Sequence, residues 1–220
     1  MYVSRALQER TSIRAFLDKP VPDHVLKRIF GLSQMSPSNC NVQPWQVYVV
    51  SGKEQEALKE KLVAEVKKGH PPNPDFNWEI KYEGVHRDRQ FGAAFALYGS
   101  MGIERQDKEG RMKAMLRNWE FFGAPHTVFF TMAKYMNIMG AVDLGIYAQS
   151  LALLMTDEGI SSCMQGALGQ YPDPIREHLN IPGDIGILFG MSFGYADPSE
   201  PVNTTRTDRV PLDAAVNFLG

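Results

Sequence analysis

Apolar residues surround nearly the whole circumference of one predicted helix, which covers residues 141–158. They are Val142, Ile146, Leu151, Leu153, Leu154 and Met155. A helix that is apolar on most sides, rather than along one stripe, is typical of a protein core. A membrane span needs ~20 apolar residues, and Asp143, Gln149 and Ser150 interrupt this run. The pattern therefore predicts a central core helix with Gly159 as its C-cap.

Shorter periodic segments predict a mixture of helices and strands around it. Apolar residues at helical spacing predict helices over residues 4–9, 23–35, 53–68, 87–104, 108–121 and 172–179. Short apolar runs predict strands over residues 46–50, 127–131, 161–164 and 185–195. Asp23 is the expected N-cap of the second helix. Residues 69–86, which include three prolines, are expected to form a loop or a mobile excursion.

The tail after Asp197 carries apolar residues that the predicted elements leave uncovered. They are Val210, Leu212, Val216, Phe218 and Leu219. Because an apolar tail of this length must be buried somewhere, we expect it to wrap around a second copy of the chain.

Composition narrows the class of protein. A chain of 220 residues, 44% of them hydrophobic, fits one domain over residues 1–220. The formal charge of -2 gives no electrostatic reason to expect nucleic acid or an anionic membrane as partner. No apolar signal segment follows Met1, and Cys40 and Cys163 are the only cysteines, so a cytoplasmic protein with reduced thiols is expected. The five histidines show no metal-ligand spacing, and no metal site is expected.

The segment Arg10-Thr-Ser-Ile-Arg14 is the first candidate binding motif. In an extended backbone Arg10, Ser12 and Arg14 would share one side, and Ile13 would face the other. Two guanidinium groups and a hydroxyl suit a phosphate. A solvated basic edge would explain this motif equally well on its own.

Two further segments have the composition of ligand-binding loops. Residues 36–45 have the sequence Ser-Pro-Ser-Asn-Cys-Asn-Val-Gln-Pro-Trp, whose short polar side chains suit a polar ligand edge, although an ordinary connection is the alternative. Residues 165–169, Gln-Gly-Ala-Leu-Gly, lack the spacing of a dinucleotide fingerprint, and their glycines instead favour a close approach of backbone to ligand.

Trp119, Phe121 and Phe122 form an aromatic group with two interpretations. They are either core residues or aromatic faces for a planar substrate. The chain shows no recognisable Ser-His-Asp, Cys-His or paired-carboxylate arrangement. Arginines beside polar loops, without a nucleophile, favour a protein that holds a phosphorylated cofactor and lets that cofactor react.

Four segments together resemble the FMN-dependent nitroreductase family, and most closely its nitrobenzoate-reductase-like branch. They are Arg10–Arg14, Pro37–Trp45, Asn118–Pro125 and the terminal Arg206-Thr-Asp-Arg-Val-Pro-Leu212. The resemblance covers nearly the whole chain in the same order. It implies an α+β fold with a mixed sheet flanked by helices, and an interlocked homodimer built on the central helix. FMN would bind at the subunit interface.

The resemblance also assigns expected roles to individual residues. Arg10 and Arg209 would neutralise the FMN phosphate with help from Arg206. Thr11 and Ser12 would bind the phosphate or ribityl region, and Arg14 would lie at the N1 and C2 edge of the flavin, where its charge favours reduction. Pro37, Ser38, Asn39 and Asn41 would reach the FMN of the other subunit. Gln165, Gly166 and Ala167 would bring backbone groups near N5 and O4. Cys40, Trp119, Phe121, Phe122 and residues 69–86 are candidates for the substrate wall. Some relatives have lysine where this chain has Thr207, so the phosphate grip here depends more on Arg206.

The implied reaction takes place at N5 of the flavin, and no side chain is nominated as a catalytic acid. NADH or NADPH would give a hydride, and a nitroaromatic or quinone would then receive two electrons in ping-pong order. The alternatives are a flavin-binding protein without turnover, a related flavin reductive dehalogenase or flavin-fragmenting enzyme, and a non-flavin adaptor.

Overall fold

The fold is an antiparallel sheet with a long helix packed on it and shorter helices around both. The computed structural model of the chain describes residues 1–77 and 80–220. The α-helices are α1 Val3–Glu9, α2 Asp23–Ser33, α3 Gly52–Lys67, α4 Gly84–Ser100, α5 Lys108–Leu116, α6 Asn137–Asp157 and α7 Pro172–Leu179. The strands are β1 Gln46–Ser51, β2 His126–Ala133, β3 Ser161–Gln165 and β4 Ile185–Gly194. The predicted α+β class is confirmed.

The sheet has the strand order β1-β2-β4-β3, and each neighbouring pair of these strands is antiparallel. A single parallel bridge joins Ser12 to Ser162 on β3. The mixed sheet expected from the resemblance is therefore, in the described residues, an antiparallel sheet with one parallel bridge at its β3 edge. The register places Cys163 opposite Ser192, and it fixes which residues of β3 face the N-terminal segment.

Helix α6 is the predicted central helix, and it begins four residues earlier than predicted. Its 21 residues span about 31 Å at 1.5 Å per residue. Leu144, Tyr147, Leu151 and Met155 have no exposed surface, so they form the core beneath the sheet. Gly159 has φ +70°, as a left-handed C-cap requires.

One face of α6 remains uncovered in the single chain. Ile138, Val142 and Ile146, at intervals of four residues, are 73%, 52% and 38% exposed. By length and composition, the segment Lys134–Asp157 could cross a membrane. Its other face fills the core against β2 and β3, so α6 is the core helix that was predicted.

The connections differ from the predicted boundaries for local reasons. The predicted N-cap is wrong by one residue: Pro22 holds that position, and Asp23 begins α2, where its carboxylate still meets the positive end of the helix dipole. Helix α5 ends at Leu116, because Phe121 and Phe122 both take φ +55° and turn the chain toward β2.

The loop after α3 is tied to the rest of the protein at Asp75. The Asp75 carboxylate, 8% exposed, pairs with Lys134 at 2.7 Å and Arg176 at 2.6 Å, and accepts the Ile187 N–H at 2.9 Å. Residues 78 and 79 lie outside the described residues. The tail after Thr205 lies exposed, with Phe218 and Leu219 at 82% and 95% exposure, and it contains one 3-10 turn, Leu212–Ala214.

Candidate functional site

Arginines from the two ends of the chain line one cleft of ≈ 240 Å³, here called the arginine cleft. Its lining residues are Arg10, Thr11, Ser12, Arg14, Ala93, Ala94, Leu97, Thr205, Arg206, Thr207 and Arg209. The N-terminal segment is held extended because the Ile13 N–H donates to the Ser162 carbonyl at 3.1 Å. Ile13 is 7% exposed, whereas its two neighbours line the cleft. The predicted opposite orientation of Ile13 is confirmed, but Thr11 also lines the cleft, so the alternation does not extend to that residue.

Asn203 brings the C-terminal arginines to the N-terminal ones. Its Oδ1 accepts the Arg14 N–H at 2.8 Å, and its Nδ2 donates to the carbonyls of Ala15 at 2.8 Å and Asp197 at 2.9 Å. The amide thus joins three backbone groups that are far apart in sequence. Sequence reasoning missed this residue, because nothing in the local pattern distinguishes one asparagine in a polar tail.

The arginine cleft carries positive charge that the chain does not neutralise. Arg14 donates to the Ser12 carbonyl at 3.3 Å, Arg206 to the Asn203 carbonyl at 2.9 Å, and Arg209 to the Thr207 carbonyl at 3.1 Å. Across residues 1–77 and 80–220, none of the four guanidinium groups forms an ion pair with a carboxylate. A cleft with four cations and no paired acid fits a phosphate group.

Strand β3 lies beside the N-terminal segment of the cleft, through the bridge between Ser12 and Ser162. Burial raises the pKa of the Cys163 thiol, and its neighbours Arg14, Ser12 and Arg10 offset this only in part. The thiol is therefore held in its neutral form beneath the cationic groups. A neutral thiol there leaves the charge of the arginines available to a ligand.

The segment 165–169 begins at the other end of β3, where Gln165 lies three residues, or about 10 Å at strand spacing, beyond Ser162. Gln165 is 3% exposed, and its amide donates to the Asn118 carbonyl at 2.9 Å and accepts from the Ser192 hydroxyl. This side chain is therefore fully used inside the protein. Gly166 is exposed, so the backbone after β3 is the part of the segment that a ligand can approach.

The loop of residues 37–43, here called the asparagine loop, does not line the arginine cleft of its own chain. It is anchored on α6, where the Asn39 N–H donates to Asp143 Oδ1 at 3.1 Å. Pro37, Asn39, Cys40 and Asn41 are all exposed. Within one described chain, the two motifs that the sequence analysis assigned to FMN therefore lie at separate places.

The aromatic group is core rather than substrate wall in this chain. Trp119, Phe121 and Phe122 are 4%, 1% and 5% exposed. The Trp119 indole donates to the Ala167 carbonyl at 3.2 Å, and Phe121 packs edge-on against Phe129 at 6.3 Å. These contacts leave exposed Cys40 and the described parts of residues 69–86 as the remaining candidates of that predicted set.

Comparison with known proteins agrees with this geometry. A profile described as the nitroreductase family matches residues 7–195. Nitroreductase NfnB of Mycolicibacterium smegmatis is 35% identical over 97% of this chain and 91% of its own length. A 4-nitrobenzoate reductase of Nocardioides sp. is 33% identical over 96% of this chain and 87% of its own.

Solved structures extend the similarity to the whole fold. The FMN and NADPH-dependent nitroreductase NfnB from Sphigopyxis sp. strain HMH superposes with a TM-score of 0.96 at 35% identity, covering 100% of both chains. The FMN-dependent NfnB from Mycobacterium smegmatis in complex with NADPH gives a TM-score of 0.95 at 34% identity, over 99% of this chain and 97% of its own.

Proposed function

The chain belongs to the nitroreductase family, and from that premise we propose that it is an FMN-dependent oxidoreductase that uses NADPH or NADH to reduce nitroaromatic compounds. The names of relatives support the cofactors and the substrate class: FMN and NADPH for the solved structures, nitrobenzoate for a relative of similar length. In this chain, the observation that carries the proposal is the arginine cleft, whose four guanidinium groups form no ion pair with any carboxylate of the described residues.

The FMN phosphate would occupy the arginine cleft. Arg10 and Arg209 would supply charge-assisted hydrogen bonds to it, Arg206 would assist, and the hydroxyls of Thr11 and Ser12 would complete the donors. Arg14 lies on the same side of the extended segment as Arg10 and Ser12, and its guanidinium group would meet the edge of the flavin ring. The neutral Cys163 thiol beneath them adds no competing anion.

The flavin ring would lie along β3 toward Gly166 and Ala167. When bound, FMN supplies the two-electron chemistry, taking a hydride from the nicotinamide and passing electrons to the acceptor. Gly166 lets the backbone approach the ring closely, while Arg14 places positive charge where it favours reduction. Gln165 acts through its backbone only, because its side chain is tied to Asn118 and Ser192.

We further propose that two copies of the chain share the sites. The exposed stripe of Ile138, Val142 and Ile146 on α6 and the exposed tail would both be covered by the second copy. The asparagine loop, including Pro37, Ser38, Asn39 and Asn41, would then reach the FMN in the partner's arginine cleft. A cytoplasmic location, quinone acceptors and ping-pong order belong to the same proposal.

The test is an anaerobic titration of the protein after reconstitution with FMN. NADPH and NADH are added in turn, and bleaching of the visible flavin absorbance reports reduction. 4-Nitrobenzoate, nitrobenzene and menadione are then added to the bleached protein. We expect the absorbance to recover stoichiometrically with the nitro compounds, and steady-state rates at several NADPH concentrations to give parallel double-reciprocal lines.

Different failures reject different parts of the proposal. Yellow protein that nicotinamides do not bleach would be a flavin-binding protein without turnover. Protein that stays colourless after reconstitution would reject the flavin site itself. Intersecting double-reciprocal lines would reject the ping-pong order alone.

A further inference from the structure

The most unusual polar group outside the arginine cleft is the carboxylate of Asp143, inside the apolar helix α6. The residue is 2% exposed. Its Oδ1 accepts the Asn39 N–H at 3.1 Å, but its Oδ2 is buried with no hydrogen-bond partner in the described part of the chain. Buried carboxylates normally accept several hydrogen bonds, because an unpaired buried charge is costly. Within the described residues, the bond from Asn39 is therefore the one that satisfies this carboxylate.

The same face of α6 also contacts the residues that flank the asparagine loop. Tyr147 lies one helical turn after Asp143. Its ring stacks on Trp45 with centroids 5.0 Å apart, and its hydroxyl accepts from Gln34 Nε2 at 3.1 Å. The Gln34 Oε1 in turn accepts from the Trp45 indole at 3.0 Å. Two residues of one helix thus anchor both ends of the loop.

Between these anchors the loop backbone is strained. Cys40, Asn41 and Gln43 have φ of 48°, 55° and 46°, the left-handed region that L residues rarely adopt. Such backbone persists only when surrounding groups hold it. The Gln43 N–H donates to the Ser38 hydroxyl at 2.9 Å inside the loop. The bond from Asn39 to Asp143 is the tie between the strained segment and the core.

We propose that Asp143 is a positioning residue for the flavin site. Its Oδ1 holds the asparagine loop in the conformation that grips FMN, and no other group in the described part of the chain shares that carboxylate. The inference rests on the proposed function, because FMN is the ligand that the loop serves.

The test uses the full chain with Asp143→Asn and Asp143→Ala, and Asp157→Asn as the matched control. Asp157 lies at the far end of α6, and its substitution removes the same charge from a partly exposed site. Each protein is stripped of FMN and titrated with it by fluorescence quenching. Sedimentation equilibrium gives the monomer fraction, and visible circular dichroism reports the asymmetry around bound flavin.

We expect Asp143→Ala to bind FMN ~10- to 100-fold more weakly, the usual scale for losing a hydrogen bond to a charged group. Asp143→Asn keeps the acceptor for Asn39 and replaces the unpartnered oxygen by an NH₂ group, so its FMN affinity should lie between those of Asp143→Ala and wild type. Both variants should show altered flavin dichroism. Asp157→Asn should stay within about twofold of wild type, since it touches neither loop nor orphaned oxygen.

Each remaining outcome contradicts a defined part of the inference. Wild-type FMN affinity and dichroism in Asp143→Ala would overturn the positioning role. FMN affinity that falls only in step with a higher monomer fraction would overturn it too, because the loss would then come from dissociation and not from the loop. If Asp143→Ala does not fold, Asp143→Asn carries both comparisons. A wild-type protein that binds no FMN would instead refute the proposed function, and this inference with it.

Discussion

Replacing Arg10 by alanine should separate phosphate recognition from the rest of flavin binding. The Arg10 side chain lines the arginine cleft with Arg14, Arg206 and Arg209, and no carboxylate in the described residues competes for it. A charge-assisted hydrogen bond to phosphate is worth about 1.5 to 3 kcal/mol, so FMN affinity should fall ~10- to 150-fold. Because Arg10 is only half-buried and three cations remain, we expect the lower half of that range.

Riboflavin supplies the discriminating comparison, because it has the same ring and ribityl chain without the phosphate. Arg10→Ala should leave riboflavin affinity within about twofold of wild type while FMN affinity falls, since only the phosphate contact is lost. Arg5→Ala is the matched control: Arg5 precedes Arg10 by five residues, pairs with Glu9 at 2.6 Å and is exposed. Fluorescence titrations at low and high salt complete the assay, and the effect of Arg10→Ala should shrink at high salt.

Two results would refute this reasoning. Unchanged FMN affinity in Arg10→Ala would show that the phosphate does not bind at Arg10. An equal loss of FMN and riboflavin affinity would show that Arg10 contacts the ring or supports the fold instead.

Three further predictions concern stability and reactivity. Burial lowers the pKa of His126, whose neutral ring accepts the Val21 N–H at Nε2, at 2.8 Å. The contribution of this ring to the free energy of unfolding is complete above pH ~6.5 and is lost as pH falls, because His126 is protonated at a higher pH in the unfolded chain than in the folded one. Urea midpoints between pH 8 and 5 should therefore fall more steeply for wild type than for His126→Gln, and equal slopes would contradict this. Asp75→Ala should cost about 3 kcal/mol in urea unfolding, because it leaves Lys134 and Arg176 without their buried carboxylate; a loss below about 1 kcal/mol would contradict the pinning of the loop. Cys163 should resist a thiol reagent in the folded protein at pH 8 and react after unfolding, because its raised pKa and its burial disfavour the thiolate. Mass spectrometry of labelled peptides measures this, and labelling of Cys163 in the folded protein would contradict the prediction.

The local parts of the fold could be predicted from periodicity, whereas placement in three dimensions could not. The strand and helix patterns located the sheet and α6, and the alternation of Arg10 and Arg14 with Ile13 predicted the side that faces the cleft. Trp119 and Phe121 show the limit, because sequence alone does not distinguish an aromatic core residue from an aromatic wall. Burial depends on what packs against the ring.

Asp143 carries two signals in the sequence. An acidic residue inside an otherwise apolar helix argues against a membrane span. The same observation also marks a carboxylate that the core must satisfy. Its partner, the Asn39 backbone, could not be identified without the tertiary structure, because 104 residues separate the two in sequence.

The separation of the arginine cleft from the asparagine loop within one chain has a genetic consequence. If the loop of each copy serves the cleft of the other, a mixed dimer can be built from one subunit with a defective cleft and one subunit with a defective loop. One of its two sites then carries both defects. The other site combines an intact cleft with an intact loop. Co-expression of two inactive alleles, one of each kind, should restore up to half of the activity per mixed dimer by intragenic complementation.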